Sequence, residues 1–132
     1  LTIFVNGMTT WTLYAFIGMA LFAAIYHIAP RLTDVDWPSA GISKIHYSLT
    51  VAGIVLVTIA LLIGGYVQGA GINNPMMNFV DVSRRVVMFI GINTLGLLLL
   101  LAAQIALLWN LVLMMRSCVA GCCGWGGKGG AR

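Results

Sequence analysis

The sequence predicts an all-α transmembrane protein with three membrane-spanning helices that form part of a larger helical membrane bundle. Its 132 residues are 61% hydrophobic and 8% charged, with a mean hydropathy of +1.00, whereas soluble domains carry about 25% charged residues. Three apolar stretches, at about 3–29, 43–67 and 83–116, each exceed the roughly 20 residues that cross a bilayer. Three helices bury little surface among themselves, so we expect neighbouring subunits.

The first predicted helix contains no Asp, Glu, Lys or Arg, and Pro30 follows it. Proline disfavours helical geometry in the residue before it, so we expect the helix to end at Ala29. The segment 6–12, near the start, carries Asn, Met and Thr side chains. Polar groups inside a span need partners other than lipid, so this segment should face protein or a cofactor.

The second and third predicted helices are bounded by polar and glycine-rich segments. Ser39 or Ser43 is expected to cap the second helix, and Asp81 or Ser83 to cap the third. Glycines at 64–71 are expected to allow close helix contact and then to break the second helix. The segment 117–132 is predicted to be an irregular, Gly/Cys-rich cytoplasmic tail. Small residues that suit helix packing are Ala20, Ala24, Gly53 and Gly64.

The basic residues lie at helix ends rather than in one patch, which indicates membrane topology and not nucleic-acid binding. The net charge is +4. Five basic residues fall on the side of the first connection and the C-terminus, namely Arg31, Lys44, Arg116, Lys128 and Arg132. Only Arg84 and Arg85 fall on the other side. This asymmetry predicts an outer N-terminus and a cytoplasmic C-terminus.

Two groups of side chains are candidates for metal binding. His27 and His46 lie at neighbouring helix ends and would need further ligands, for which Asp34 and Asp36 are nearest; the alternative is that both are interfacial polar residues. The cysteines, Cys118, Cys122 and Cys123, suit metal or palmitate, or belong to an irregular tail. We predict no metal site.

Three amides lie inside the third helix, at Asn93, Gln104 and Asn110. Intramembrane amides commonly hydrogen-bond a neighbouring helix. A proton path is the alternative, although such paths use acids or His, and this helix contains neither inside the span.

Arg84 and Arg85 are adjacent guanidiniums at the mouth of a span. Such groups can bind anions with two parallel hydrogen bonds. Lipid phosphates and haem propionates are both candidates, and a role in topology is the third interpretation.

Four short segments occur in an order and at distances that resemble a known family. They are Pro30-Arg31-Leu32, Asp36-Trp37-Pro38-Ser39, Ile45-His46-Tyr47, and the run from Ile63 to Gly69. The series resembles the last three helices of the catalytic subunit of haem-copper oxidases, and among these the cbb-type cytochrome c oxidases most. The resemblance covers about residues 3–115, which is about a quarter of such a subunit.

The resemblance implies that two haem-ligating histidines belong at the positions of Met8 and Thr10. Neither is histidine here. Met8 retains a thioether that can ligate iron, and Arg84 and Arg85 match the region where the family places basic residues against haem propionates. The resemblance therefore implies that this chain has no catalytic residues and binds no haem alone, and that any haem would lie at an interface with a partner chain.

Three functions follow as hypotheses. The first is a non-catalytic subunit or fragment of a respiratory electron-transfer complex in a bacterial inner membrane, in contact with lipid and with other membrane subunits. The second is one half of a split haem-copper oxidase. The third is a small channel or transporter component, lined by Asn93, Gln104 and Asn110.

Overall fold

The computed structural model describes the backbone of residues 3–123 and the side chains of residues 3–120. This part of the chain forms three helices, α1 (Ile3–Thr33), α2 (Ala40–Ile72) and α3 (Phe79–Cys123), and contains no strand. Each helix is long and apolar enough to cross a membrane, so the predicted all-α transmembrane architecture is confirmed. Of the predicted tail, 117–123 continues α3, and 124–132 lies outside the described residues.

The three helices run up, down and up, so their ends meet at two opposite ends of the bundle. At one end, Ile3, Ile72 and Phe79 line a common cavity of about 130 Å³; we call this the Arg84 end. At the other end, the first connection joins Thr33 to Ala40; we call this the Lys44 end. The prediction that the polar start of the first helix and the Arg84-Arg85 pair lie at the same end is therefore confirmed.

Glycines on α2 and α3 determine how closely these two helices approach. A Cβ atom added to Gly53 would lie 2.8 Å from the Leu100 side chain, and one added to Gly96 would lie 3.0 Å from the backbone nitrogen of Val57. Gly64 is similarly close to Phe89. The predicted close helix contact at Gly64 is confirmed, and Gly53 also packs inside this bundle, whereas Ala20 and Ala24 are exposed on α1. The buried core of Ile54, Val57 and Leu100 lies along the α2–α3 contact.

Of the two predicted caps of α2, Ser39 is confirmed, but α2 begins at Ala40 instead of about residue 43, and its end and the start of α3 also differ from the prediction. The Ser39 hydroxyl accepts a hydrogen bond from the Ile42 N–H at 3.3 Å, which makes Ser39 the cap. The glycines do not break α2 near residue 67. The helix continues to Ile72, and Gly71 in its last turn packs against Val82 of α3. Since α3 begins at Phe79, Asp81 is not its cap but lies within its first turn. There its negative charge interacts favourably with the positive end of the helix dipole.

The expectation that Pro30 ends α1 is also wrong, because α1 continues to Thr33. Proline has no N–H, so the carbonyl of Tyr26 loses its usual donor four residues on. The Trp37 indole N–H replaces that donor and reaches the Tyr26 carbonyl oxygen at 3.1 Å. The helix ends instead at Asp34, which adopts a left-handed conformation with φ of 51°.

Trp37→Phe should therefore destabilise the fold by about 1 kcal/mol through the lost hydrogen bond, in addition to the cost of a smaller ring against Tyr26. In a Pro30→Ala background the new N–H of residue 30 would satisfy the Tyr26 carbonyl, and the same substitution should cost about 1 kcal/mol less. The free energy of unfolding in mixed micelles, measured for all four members of this cycle, checks the argument. An equal cost of Trp37→Phe in both backgrounds would show that the indole N–H does not replace the missing donor.

Residues Trp11–Gly18 of α1 form a π-helix, which the sequence analysis did not anticipate. The segment begins where the Thr12 hydroxyl donates to the carbonyl oxygen of Met8 at 3.1 Å. Such a bond competes with the regular backbone pattern. π-helical segments are rare and frequently occur at functional sites, and this one directly follows the two positions that the family resemblance singles out.

Candidate functional site

Met8 and Thr10 lie on α1 about two turns from the Arg84 end. Gly7 is buried, and an added Cβ there would lie 3.1 Å from the Leu61 side chain of α2. Met8, the next residue, is 53% exposed. Its thioether therefore lies on the outer surface of the bundle, whereas Thr10 is half-buried.

Arg84 and Arg85 are both exposed in the first two turns of α3. Val82 and Val86, on either side of them, are buried in the bundle. The two guanidiniums thus project from the Arg84 end, where an anionic group can reach them. No hydrogen bond connects either arginine to Met8 within residues 3–120.

The described residues do not supply a complete set of axial ligands for the haem that the resemblance implies. Haem iron in electron-transfer proteins takes His, Met or similar donors on its axis. This half of the bundle offers the thioethers of Met8, Met76, Met77 and Met88 but no imidazole, because both histidines of the chain, His27 and His46, belong to the Lys44 end. The side chains present could support a haem held elsewhere, but they do not complete one.

The structure places a cluster of aromatic and polar side chains at the Lys44 end, centred on His46. The His46 ring is 2% exposed, and its Nδ1 lies 3.1 Å from the Tyr26 hydroxyl. Phe22 meets the same ring edge-on, with centroids 4.9 Å apart. Tyr26 also packs against Trp37 at 4.7 Å. His46 is therefore part of the contact between α1 and α2, and not the interfacial residue that one interpretation expected.

Asn110 connects α3 to the same end of the bundle. It is fully buried, and its Nδ2 donates to the Ser43 hydroxyl at 2.9 Å and to the Ser39 carbonyl at 3.3 Å. The prediction that an intramembrane amide bonds a neighbouring helix is confirmed at this position. Asn93 and Gln104 are half-buried, and within the described side chains neither hydrogen-bonds another helix.

A third contact, between α1 and α3, completes this end. The Thr33 hydroxyl lies 3.4 Å from the Met114 sulfur and 2.9 Å from the Ala29 carbonyl oxygen. All three helix pairs are thus joined by polar contacts at the Lys44 end. At the Arg84 end, the Ile3 N–H donates to Gln68 Oε1 at 3.1 Å and joins α1 to α2.

Two polar atoms of this cluster are buried without a hydrogen-bond partner, His46 Nε2 and Asn110 Oδ1. Sequence reasoning identified both residues but not their surroundings. Tyr26, the partner of His46, was missed altogether. Its pairing with His46 had no signal in the sequence, because the two residues are 20 positions apart and meet only where α1 packs on α2.

The histidines and cysteines do not assemble into a metal site in the described residues. No group of three or more His, Cys, Asp or Glu side chains there is placed to hold a metal ion. His27 is exposed whereas His46 is buried, so the two occupy different surroundings. Cys118 is half-buried with a free thiol, and the side chains of Cys122 and Cys123 lie outside the described residues.

Comparison with known proteins adds no assignment: no protein-family model, curated protein or solved structure matches this chain.

Proposed function

We propose that this chain is a non-catalytic membrane subunit, or a split fragment, of a respiratory electron-transfer complex of the haem-copper oxidase type. The motif series between Pro30 and Gly69 supports the relationship. Met8 and Thr10, which stand where two histidines would ligate haem, support a role without chemistry of its own. On this proposal the Arg84 end faces the outside of a bacterial inner membrane.

The uncovered face of α1 is the observation that carries the proposal. In the most apolar 18-residue window of α1 no residue is buried, whereas 44% of the corresponding window of α2 is buried. This face also exposes Asn6, Thr9 and Thr12 inside the span. The two threonine hydroxyls bond carbonyls of their own helix, but Asn6 has no side-chain hydrogen bond in the described part of the chain.

A neighbouring protein chain can offer hydrogen-bond partners to the polar side chains on this face, whereas lipid cannot. Acyl chains offer no hydrogen-bond partner to an amide, and amide side chains in spans commonly bond across helices. The uncovered face therefore supports a position inside a larger membrane assembly.

Site-specific photocrosslinking tests this position. A benzoylphenylalanine at Phe16, which is 79% exposed on α1, should crosslink in native membranes to a subunit that copurifies with haem and contains the expected ligand histidines. The same probe at Leu108, which is 60% exposed on α3, serves as the control. Crosslinks to lipid alone at Phe16, or to a chain outside any haem complex, would contradict the proposal.

A split oxidase is the second candidate, and the exposure of Met8, Arg84 and Arg85 favours it, since all three are free to meet a cofactor held by another chain. Met8→Leu distinguishes the two candidates. The split enzyme requires a changed haem absorption spectrum of the purified complex, while the accessory subunit requires an unchanged one. A full-length catalytic subunit in the same complex would also exclude the split enzyme.

A further inference from the structure

A groove runs between α1 and α2 at the Lys44 end. Its inner part, a cavity of about 120 Å³, has apolar walls that include Met19, Phe22 and Ala23. Its outer part, of about 310 Å³, is lined by Tyr26, Ser43, Lys44 and Tyr47. Because Tyr26 and Tyr47 line both parts, they form one continuous feature, which we call the Tyr26–Tyr47 groove.

We propose that the Tyr26–Tyr47 groove binds one anionic membrane lipid, with an acyl chain in its inner part and the phosphate on Lys44. This inference does not depend on the proposed respiratory function. It follows from the order of side chains along the groove, which changes from cationic to aromatic to apolar.

The charge at the mouth of the groove suits a phosphate. The ammonium group of Lys44 is exposed and lies five residues into α2, whose first turn contains no acid. Lysine binds phosphate as a point charge, and the positive end of a helix dipole adds to the attraction. Asp34 and Asp36 of the connection are exposed, and neither lines the groove.

The depth of the groove suits a lipid rather than a soluble anion. From Lys44 to Thr50, which lines the inner part, α2 advances about 9 Å at 1.5 Å per residue. Tyr47, 60% exposed between these two residues, matches the aromatic side chains that lie at headgroup depth. A phosphate at Lys44 thus leaves the attached acyl chain beside Phe22 and Ala23, where the walls are apolar.

The buried ring of His46 stabilises the inner wall of the groove. Its contact with the Tyr26 hydroxyl fixes one of the two tyrosines that the inner and outer parts share. The groove is consequently formed by the fold itself, and does not require the lipid to assemble it.

Native mass spectrometry tests whether Lys44 binds the lipid phosphate. The delipidated full chain is titrated with phosphatidylglycerol and, separately, with phosphatidylcholine. The wild-type chain should bind one phosphatidylglycerol preferentially. Lys44→Gln should reduce this preference about fivefold, the effect of one basic residue near an anionic headgroup. Arg116→Gln removes the same charge at the same end but outside the groove, and should leave the preference unchanged.

Equal losses in the two variants would show general electrostatic attraction at this end and would overturn the proposal, as would an unchanged preference in Lys44→Gln. Inorganic phosphate at millimolar concentration should not displace the lipid. Displacement would assign the site to a free anion and would also overturn it.

The apolar half is tested by filling the inner cavity. Ala23→Leu should weaken the binding of phosphatidylglycerol, because the added atoms occupy the space proposed for the acyl chain. Ala102→Leu adds the same atoms to an exposed position on α3 and should leave binding unchanged. Circular dichroism confirms that both variants keep their helices, and unaltered binding by a folded Ala23→Leu chain would contradict an acyl chain in the cavity.

Discussion

Gly65→Ala should displace α1 from α2 and destabilise the bundle by about 2–3 kcal/mol, within the range of overpacking in a tight core. A Cβ atom added to Gly65 would lie 2.5 Å from the Cα atom of Phe4 and would also contact the Phe4 backbone nitrogen. Backbone atoms cannot rotate away as a side-chain terminus can, so the two helices have to separate. The separation would also break the hydrogen bond from Ile3 to Gln68.

Gly69→Ala is the matched control, because it lies about one turn further along α2 and its added Cβ would meet nothing within 4 Å. It should stabilise the chain by up to about 1 kcal/mol, since alanine is the better helix former. Unfolding in mixed micelles, followed by circular dichroism and by Trp fluorescence, measures both. Similar stabilities for the two variants would show that α1 does not pack on Gly65 as described.

Asn110→Leu should cost about 1 kcal/mol, the largest effect expected from any single polar side chain of the bundle. Two hydrogen bonds to Ser39 and Ser43 disappear, and polar contacts in a membrane protein average about 0.6 kcal/mol each. Leucine is similar in size to asparagine, so the loss reports on the polar contact rather than on a cavity. The free energy of unfolding in mixed micelles is again the measurement.

Gln104→Leu provides the comparison, because it also removes an amide from α3. In the described residues the Gln104 amide hydrogen-bonds no other helix. It should change stability by less than about 0.6 kcal/mol, the average for polar contacts measured in a membrane protein. A double-mutant cycle with Ser43→Ala should give a coupling energy for Asn110 of at least about 0.5 kcal/mol. The interpretation fails if Gln104→Leu is as costly as Asn110→Leu.

The three spans could be predicted because apolar length alone decides them, and the close contact at Gly64 because glycine lets two helix backbones approach each other. Asn110 could be predicted for a related reason: a buried amide needs a partner. These inferences depend on single residues and on the solvent around them. They require no knowledge of which helix faces which.

The helix ends were harder to predict because they depend on distant residues. Pro30 fails to end α1 since Trp37 supplies the missing donor, and the glycines fail to end α2 since Gly71 still packs on Val82. The pairing of His46 with Tyr26 likewise exists only once α1 and α2 are side by side. The sequence did not indicate that Met8 would face outward.

The bond from Trp37 to the Tyr26 carbonyl has a consequence for how the chain enters a membrane. A carbonyl without a hydrogen-bond donor is unfavourable wherever water cannot reach it, and Pro30 leaves one near the end of α1. The donor lies in the connection that follows, so α1 by itself carries that penalty while the joined α1–connection segment does not. We therefore expect α1 to enter the lipid only after residue 37 has been synthesised. The smallest segment that partitions stably into the membrane is α1 together with the connection that follows it.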